Sequence, residues 1–234
     1  MEKRVVAIVP AAGTGKRFGS QVKKTFITLN GTPLLVCTLK RLEDEKSVDE
    51  IIPVLGQDDI EAGYRLFQAQ GLSKIKVIAP GGKERQDSIN NALKLINQEC
   101  TVLIHDGVRP IIPDNTIDAL IEGLEEADAV VPGIPVQDTL KEVSEVEYVT
   151  RTLNRECIRA IQTPQAFSLK VIKRAYDMAY REGFHATDDA ALVEKMGGTV
   201  KVIPGSQQNI KVTLPEDLDM VEHIMTRLYK GQTE

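Results

Sequence analysis

Short runs of apolar, β-branched residues alternate along the chain with longer stretches in which apolar residues recur at helical spacing. The apolar runs cover residues 5–9, 51–55, 75–78, 102–104, 129–131 and 200–203. The amphipathic stretches cover residues 34–42, 86–96, 115–126 and 170–180. Runs that are apolar at all or nearly all positions are typical of strands buried on both faces, and the helices between them are typical of crossover connections. The pattern predicts a doubly wound α/β fold around a mostly parallel sheet.

Residues 136–160 depart from this alternation. Apolar and polar positions recur there with a period of two on both sides of a polar turn at residues 144–147, which is typical of a β-hairpin. A hairpin inserted late in an α/β domain has little apolar surface to bury on the parent sheet, so we expect it to pack on a second copy of the chain. The expected organisation is a single domain over residues 1–234, with residues 136–160 as a dimerising β-arm.

Composition and charge argue against several classes of partner. A net charge of −5 leaves no basic field for a nucleic acid, and the lack of Trp argues against a base-stacking surface. No apolar run has the length of a membrane span or a signal segment, so we expect a cytoplasmic protein with no membrane partner. The three cysteines lack the spacing of a zinc site or a disulfide framework.

A glycine-rich segment, Pro10-Ala11-Ala12-Gly13-Thr14-Gly15-Lys16-Arg17, follows the first predicted strand. Small residues let the backbone approach a ligand closely and direct its amides at a phosphate, and the two basic residues add positive charge. The segment matches neither GxxxxGK[ST] nor GxGxxG, since Phe18 occupies the third glycine position of the second motif. Taken alone, it is equally compatible with a structural turn.

Further motifs follow this segment over nearly the whole chain. PAAGxGxR with a later lysine resembles the N-terminal signature of sugar-nucleotide pyrophosphorylase-like enzymes. The other motifs are KK at 23–24, GGKERQDS at 81–88, HDGVRP at 105–110, PVQDT at 135–139, QTPQ at 162–165, TDDA at 187–190 and NIKVT at 209–213. Together they resemble the 2-C-methyl-D-erythritol 4-phosphate cytidylyltransferase family of the non-mevalonate isoprenoid pathway.

The resemblance implies a Rossmann-like sheet of the nucleotide-diphospho-sugar transferase type. It implies transfer of CMP from CTP to 2-C-methyl-D-erythritol 4-phosphate, with release of pyrophosphate. The implied catalytic residues are Arg17, Lys24, Arg155 and Lys211. The implied nucleotide-binding residues are Pro10, Ala11, Ala12, Gly13, Thr14, Gly15, Gly82, Lys83, Ser88 and Gly107. The implied substrate-binding residues are Asp106, Arg109, Thr139, Thr163 and Thr187.

The resemblance also implies a cofactor and a partner. Mg²⁺ would be held mainly by the phosphates of CTP, as suits an ion that dehydrates reluctantly, and no residue is assigned as a dedicated metal ligand. The partner would be a second copy of the chain, whose active site receives Arg155 from the arm.

The residues present permit this chemistry. In nucleotidyl transfer, negative charge builds on the phosphoryl oxygens and the leaving group, so cations and amides provide most of the catalysis. Arg17 and Lys24 suit that role. The attacking phosphate monoester is already ionised at neutral pH, so no general base is required.

Other functions stay open at this point. A ribitol-5-phosphate cytidylyltransferase would share the fold and many motifs, and a non-catalytic nucleotide-sensing module would share the fold. An NAD-dependent oxidoreductase is disfavoured by the imperfect glycine motif. The chain also departs from the family pattern at Lys83, where an acidic residue is common, and at Gly107, where alanine is common.

Several polar residues have a structural interpretation. We expect His105 to be buried with its ring bonded to the backbone. Arg85 and Asp87 are expected to be solvated residues at a helix start, and Thr187 to cap a helix whose first turn contains Asp188 and Asp189. Cys157 is expected to be a packing residue.

Overall fold

The computed structural model describes residues 4–13 and 27–230. Its strands, in chain order, are β1 (Val5–Pro10), β2 (Thr28–Leu29), β3 (Thr32–Pro33), β4 (Glu50–Leu55), β5 (Ala79–Pro80), β6 (Thr101–Ile104), β7 (Ala129–Pro135), β8 (Lys141–Val143), β9 (Val149–Thr152), β10 (Arg159–Ile161), β11 (Gln165–Ser168) and β12 (Val200–Pro204). Its α-helices are α1 (Leu34–Glu43), α2 (Ile60–Ala69), α3 (Arg85–Leu93), α4 (Thr116–Gly123), α5 (Leu169–Glu182), α6 (Ala190–Lys195) and α7 (Pro215–Lys230).

Within the described residues the main sheet has eight strands in the order β10-β7-β11-β6-β1-β4-β5, with β12 also paired to β7. The pairs β1 with β4, β1 with β6, β4 with β5 and β12 with β7 are parallel. Strands β10 and β11 run in the opposite direction to the rest. The carboxyl ends of β1, β4, β6 and β7 therefore meet at one edge, where open α/β sheets bind their ligands.

Side chains of β1 alternate between two cores, because successive residues of a strand point to opposite faces. Val6 and Ile8 pack with α3, α5 and α6, whereas Val5, Ala7 and Val9 pack with α1, α2 and α4. Burying each such side chain stabilises the fold by roughly 1.5–3 kcal/mol. The doubly wound fold predicted from the sequence is thus confirmed.

A third, smaller core lies beside the carboxyl edge of the sheet. Leu29 of β2, Leu34 of α1 and Val221 of α7 pack there with Ile111 and Val212. This core connects α7 to the segments that follow β6 and β12.

Some predicted elements differ from the observed ones. Residues 75–78 form only an isolated bridge between Ile75 and Ile51, and the strand in this region is Ala79–Pro80. Strand β12 forms where predicted, but it is only half-buried because it pairs with β7 alone. The apolar patterns did not predict α2, α7 or the antiparallel strands β10 and β11.

The predicted hairpin is present. Strands β8 and β9 are antiparallel, form a two-stranded sheet of their own, and consist entirely of exposed residues. The chain returns to the main sheet at Arg159, where β10 begins, so the arm ends slightly before residue 160.

In the described part of the chain, no helix combines the length and the apolar character needed to cross a membrane.

Candidate active site

Three of the predicted nucleotide-binding segments meet at the carboxyl edge of the sheet. Residues 10–13 leave β1 beside Gly81 and Gly107. A Cβ on Gly81 would collide with the Cβ of Ala12. A Cβ on Gly107 would lie 3.3 Å from the Cβ of Ala11 and 3.3 Å from the Pro10 carbonyl oxygen. Glycine at both positions therefore allows a close approach of backbone segments.

Hydrogen bonds within residues 82–88 fix the conformation of the turn that leads into α3. The Gly82 amide donates to Ser88 Oγ at 3.0 Å, and the Ser88 hydroxyl donates to the Glu84 carbonyl at 3.0 Å. Glu84 is the N-cap of α3 and forms a capping box with Asp87, whose carboxylate accepts from the Glu84 amide at 3.1 Å. Gly82 and Ser88 thus lie together, while Lys83 is exposed on the same turn.

Four predicted site residues lie outside the described residues: Thr14, Gly15, Arg17 and Lys24.

A cleft of about 500 Å³ opens beside the first residue of α3 and the residues that follow β6. Five of the residues predicted to bind the second substrate or to act on it line this cleft: Asp106, Arg109, Thr163, Thr187 and Lys211. They come from four distant parts of the chain, so only the tertiary structure brings them together.

Asp106 lies at the centre of an ion-pair cluster in this cleft. Its carboxylate is 2.8 Å from Lys211 Nζ, 3.6 Å from Arg109 Nε and 3.7 Å from Arg85 Nη2. Burial alone would raise the pKa of Asp106, but Lys211, Arg85 and Arg109 outweigh that effect and hold the pKa at about 2. Asp106 is therefore ionised at any working pH.

A hydrogen-bond chain fixes the backbone of Asp106. Its amide donates to Thr163 Oγ1 at 3.0 Å, and the Thr163 hydroxyl donates to His105 Nδ1 at 3.0 Å. His105 Nε2 donates to the Arg109 carbonyl at 2.9 Å, because a carbonyl can only accept. Burial lowers the pKa of His105 to about 4, so the ring is neutral. The expectation that His105 is buried and bonded to the backbone is confirmed.

Lys211 is held in place by its neighbours. Two residues earlier, buried Asn209 donates to the Thr163 carbonyl at 2.8 Å and accepts at its own carbonyl from Arg109 Nη1 at 2.6 Å. One residue later, the Val212 amide donates to the Val108 carbonyl at 3.0 Å. The ammonium group itself stays accessible, with 42% of the side chain exposed.

Arg85 is a residue of the cleft, so the expectation of a solvated position at a helix start is wrong. It donates from Nη2 to Asp189 Oδ2 at 2.7 Å, and Asp189 is 1% exposed. Asp87 is likewise not freely solvated, since it accepts from Tyr180 Oη at 2.7 Å. A buried carboxylate needs a cation as its partner. The acidic pair at residues 188–189 was therefore the signal in the sequence that a cation such as Arg85 would be buried beside it.

The start of α6 also differs from expectation. The N-cap position belongs to Asp189, and the carboxylate that accepts an amide of the first turn is that of Asp188, from Ala191 at 3.0 Å. Thr187 is therefore not the cap, and it is exposed to the cleft. Cys157 is exposed rather than packed.

Comparison with known proteins identifies the family. A family model described as 2-C-methyl-D-erythritol 4-phosphate cytidylyltransferase matches residues 5–227. The chain belongs to this family. The predicted resemblance is confirmed, and the chain is an enzyme of the nucleotidyltransferase class.

Individual relatives agree with this assignment. The 2-C-methyl-D-erythritol 4-phosphate cytidylyltransferase of Syntrophus aciditrophicus is 40% identical over 97% of this chain and 98% of its own. The crystal structure of 4-diphosphocytidyl-2C-methyl-D-erythritol synthase from Anaerococcus prevotii has a TM-score of 0.84 at 32% identity and covers 96% of this chain and 97% of its own. The 2-C-methyl-D-erythritol 4-phosphate cytidylyltransferase from Thermus thermophilus has a TM-score of 0.75 at 30% identity and covers 96% and 98%. These matches support a 2-C-methyl-D-erythritol 4-phosphate cytidylyltransferase over a ribitol-5-phosphate cytidylyltransferase or a non-catalytic nucleotide-sensing module.

Two residues that the cytidylyltransferase motifs assign to the site lie away from the cleft. Thr139 is exposed near the base of the arm. Arg155 is exposed in a 3-10 turn after the hairpin, where its Nη1 donates to the Gln137 carbonyl. Neither residue lines the cleft of its own subunit.

The described residues offer no ready-made cation site. Among residues 4–13 and 27–230, no group of three or more His, Cys, Asp or Glu side chains is arranged to hold a metal ion. The carboxylate of Asp106 is already paired with cations.

Proposed function

We propose that the cleft around Asp106 is the acceptor half of the active site, where the phosphate of 2-C-methyl-D-erythritol 4-phosphate is held for attack on the α-phosphorus of CTP. One observation carries the assignment: Lys211, Arg85 and Arg109 converge with Thr187 on a cleft beside residues 10–13 and the turn into α3. Cationic side chains and a hydroxyl group can all donate hydrogen bonds to the oxygens of a phosphate dianion, and the cations also offset its charge.

In this proposal the nucleotide lies over residues 10–15, with its base against the turn of Gly82 to Ser88 and its sugar near Gly107. A phosphate oxygen of the acceptor forms a bond to the α-phosphorus of CTP. In line with it, the bond between the α-phosphorus and the oxygen that bridges to the β-phosphorus breaks, and pyrophosphate leaves. Arg17 and Lys24 stabilise the charge that builds on the phosphoryl oxygens. Mg²⁺, held mainly by the triphosphate, would add charge neutralisation.

Charge balance in the cleft supports a contribution from a second subunit. The described lining has three cations, Arg85, Arg109 and Lys211, against three carboxylates, Asp106, Asp188 and Glu194. Such a lining has no excess positive charge for a dianion, so further cations are required. We propose that the partner's arm supplies Arg155, together with Thr139, in a homodimer.

The remaining assignments follow from this proposal. Residues 1–234 would form a single cytidylyltransferase domain, and the β-arm would serve dimerisation. Because both substrates are small charged metabolites of the cell interior, we propose a cytoplasmic location.

Removing Lys211 tests the acceptor site. Lys211→Ala should lower kcat/KM for the acceptor by about 10- to 100-fold, the usual loss for one hydrogen bond to a charged group, and leave CTP binding nearly unchanged. Thr187→Val should act in the same direction more weakly. Pyrophosphate release measures the first quantity, and calorimetric titration with CTP alone measures the second.

Two controls make this experiment specific. Lys201→Ala removes a lysine that pairs with Glu126 on the surface, and it should behave as the wild type. Ribitol 5-phosphate should support little pyrophosphate release from the wild type. A Lys211→Ala variant that loses CTP affinity but keeps its acceptor KM would move Lys211 to the nucleotide site.

A further inference from the structure

A buried hydrogen-bonded chain lies directly behind the acceptor cleft. Asp189 accepts from Tyr176 Oη at 2.6 Å and from Arg85 Nη2 at 2.7 Å, and it is 1% exposed. Tyr176 is fully buried in α5, Asp189 caps α6 and Arg85 begins α3. Three helices on one face of the sheet are thus joined at a single carboxylate.

Asp189 fixes the position of Arg85. A carboxylate this deeply buried requires a charged partner, and Arg85 is the only cation that pairs with it within the described residues. The bond from Tyr176 occupies the other carboxylate oxygen, so the carboxylate cannot turn away from Arg85.

The guanidinium of Arg85 has N–H groups that are not bonded to Asp189 and are available to a ligand in the cleft. Its side chain is 34% exposed and lines the cleft together with Lys211 and Thr187. A guanidinium has five N–H donors, and within the described residues the bond to Asp189 is the only hydrogen bond that this guanidinium donates. Asp106, at 3.7 Å, is beyond hydrogen-bond length.

We propose that Arg85 is a further acceptor-binding residue, and that Asp189 and Tyr176 are positioning residues that hold its guanidinium toward the cleft. The ligand is the phosphate monoester of the acceptor, two of whose oxygens can accept parallel hydrogen bonds from the free N–H groups of Arg85. The inference deepens the proposed function and rests on it.

Variants of Arg85 and Asp189 test the assignment of the acceptor contact. Arg85→Gln leaves Asp189 buried without a cation and can fail to fold, so Arg85→Gln/Asp189→Asn, which leaves a neutral pair, is the decisive variant. Its acceptor KM should rise by about 10- to 100-fold at saturating CTP, while the affinity for CTP stays within about twofold. Arg85→Lys/Asp189→Asn restores a charge and should recover part of the acceptor KM.

A double-mutant comparison tests the positioning role. Asp189→Asn alone should raise the acceptor KM by about tenfold, and it should add nothing once Arg85 is already Gln, since its effect passes through Arg85. Tyr176→Phe should shift the acceptor KM in the same direction by a few fold. Tyr180→Phe is the matched control, because it removes a phenol from the same helix whose partner, Asp87, belongs to the turn into α3. It should change CTP binding instead.

The outcomes separate this inference from the proposed function. If Arg85→Gln/Asp189→Asn keeps a normal acceptor KM while Lys211→Ala raises it, Arg85 has only a structural role and the proposed cleft stands. If neither variant affects the acceptor, the failure belongs to the proposed function. If only melting temperatures change, the chain behind the cleft serves stability alone.

Discussion

At the scale of single residues, the proposed acceptor cleft depends on groups whose protonation is set by burial and by neighbouring charges. Asp106 stays ionised because three cations surround it, and His105 stays neutral because burial lowers its pKa. His105 does not line the cleft, and Asp106 lines it as a carboxylate whose pKa of about 2 makes it a weak base, so neither group is suited to exchange a proton with a substrate. The site therefore works by fixed charges, as a reaction with an ionised attacking group allows.

His105 should make stability depend on pH. Its pKa is near 6.5 ordinarily and about 4 in the folded protein, so between these values only the unfolded chain binds the proton and stability falls as the pH is lowered. One pKa unit corresponds to about 1.4 kcal/mol, so His105 alone should reduce the free energy of unfolding by about 3 kcal/mol between roughly pH 7 and pH 4. Chemical denaturation at a series of pH values measures this slope.

A variant isolates the contribution of His105. His105→Asn should lower stability at neutral pH but lose most of the slope between about pH 6.5 and pH 4. His223→Gln, at an exposed histidine of α7, should keep the wild-type slope. An unchanged slope in His105→Asn would assign the acid sensitivity to other groups.

At the scale of elements, the proposed nucleotide side of the site is a junction of three backbone segments. The end of β1 is packed against Gly81 on one side and Gly107 on the other, with no room for a side chain at Gly81. The two glycines differ in what surrounds them. The nearest atom to a Cβ on Gly107 would be the terminal Cδ1 of Leu35, at 3.0 Å, and such an atom can move.

This difference predicts a large effect for one alanine substitution and a small effect for the other. Gly81→Ala must displace Ala12 or the Leu55 carbonyl, so it should destabilise the protein by about 1–3 kcal/mol and weaken CTP binding. Gly107→Ala should change stability by less than about 1 kcal/mol and leave CTP affinity nearly unchanged, because Leu35 can adjust. Thermal unfolding and calorimetric titration with CTP measure both. An effect of Gly81→Ala as small as that of Gly107→Ala would mean that the junction tolerates movement of the residues after β1.

At the scale of the whole molecule, the arm is the part of the fold that lacks a partner within the described chain. Val146 and Tyr148, between the two strands of the arm, and Val149 of β9 are 71%, 75% and 59% exposed, so the arm presents apolar side chains to solvent. Arg155, at the end of this arm, does not line the cleft described above. Burial of the arm on a second copy would address both features.

Complementation tests whether sites are shared between subunits. Arg155→Ala and Lys211→Ala should each be nearly inactive alone. In a mixed dimer with sharing, one site receives both defects and the other neither. Random mixing makes about half of the dimers mixed, so roughly a quarter of wild-type activity should return. A mixture no more active than its components would mean that Arg155 acts within its own subunit or not at all.

Much of the fold could be predicted because it depends on local patterns. The strand at Val5–Pro10, the helix at Leu34–Glu43 and the hairpin turn each follow from a period of apolar residues. Prediction failed where an element is too short to show a pattern, or where pairing with distant strands decides its structure. Strand β5 has only two residues, and β11 becomes an antiparallel strand because β6 and β7 lie on either side of it.

The sequence by itself determined the doubly wound core, the arm and the family motifs, since these depend on residue identity and short-range spacing. Only the tertiary structure decided which motif residues share a cleft. Lys211 reaches Asp106 across the chain, while Thr139 and Arg155 do not enter that cleft. The tertiary structure also paired Arg85 with Asp189, which is 104 residues away. A charge near a helix start is solvated or buried according to what packs over it, and no local pattern contains that information.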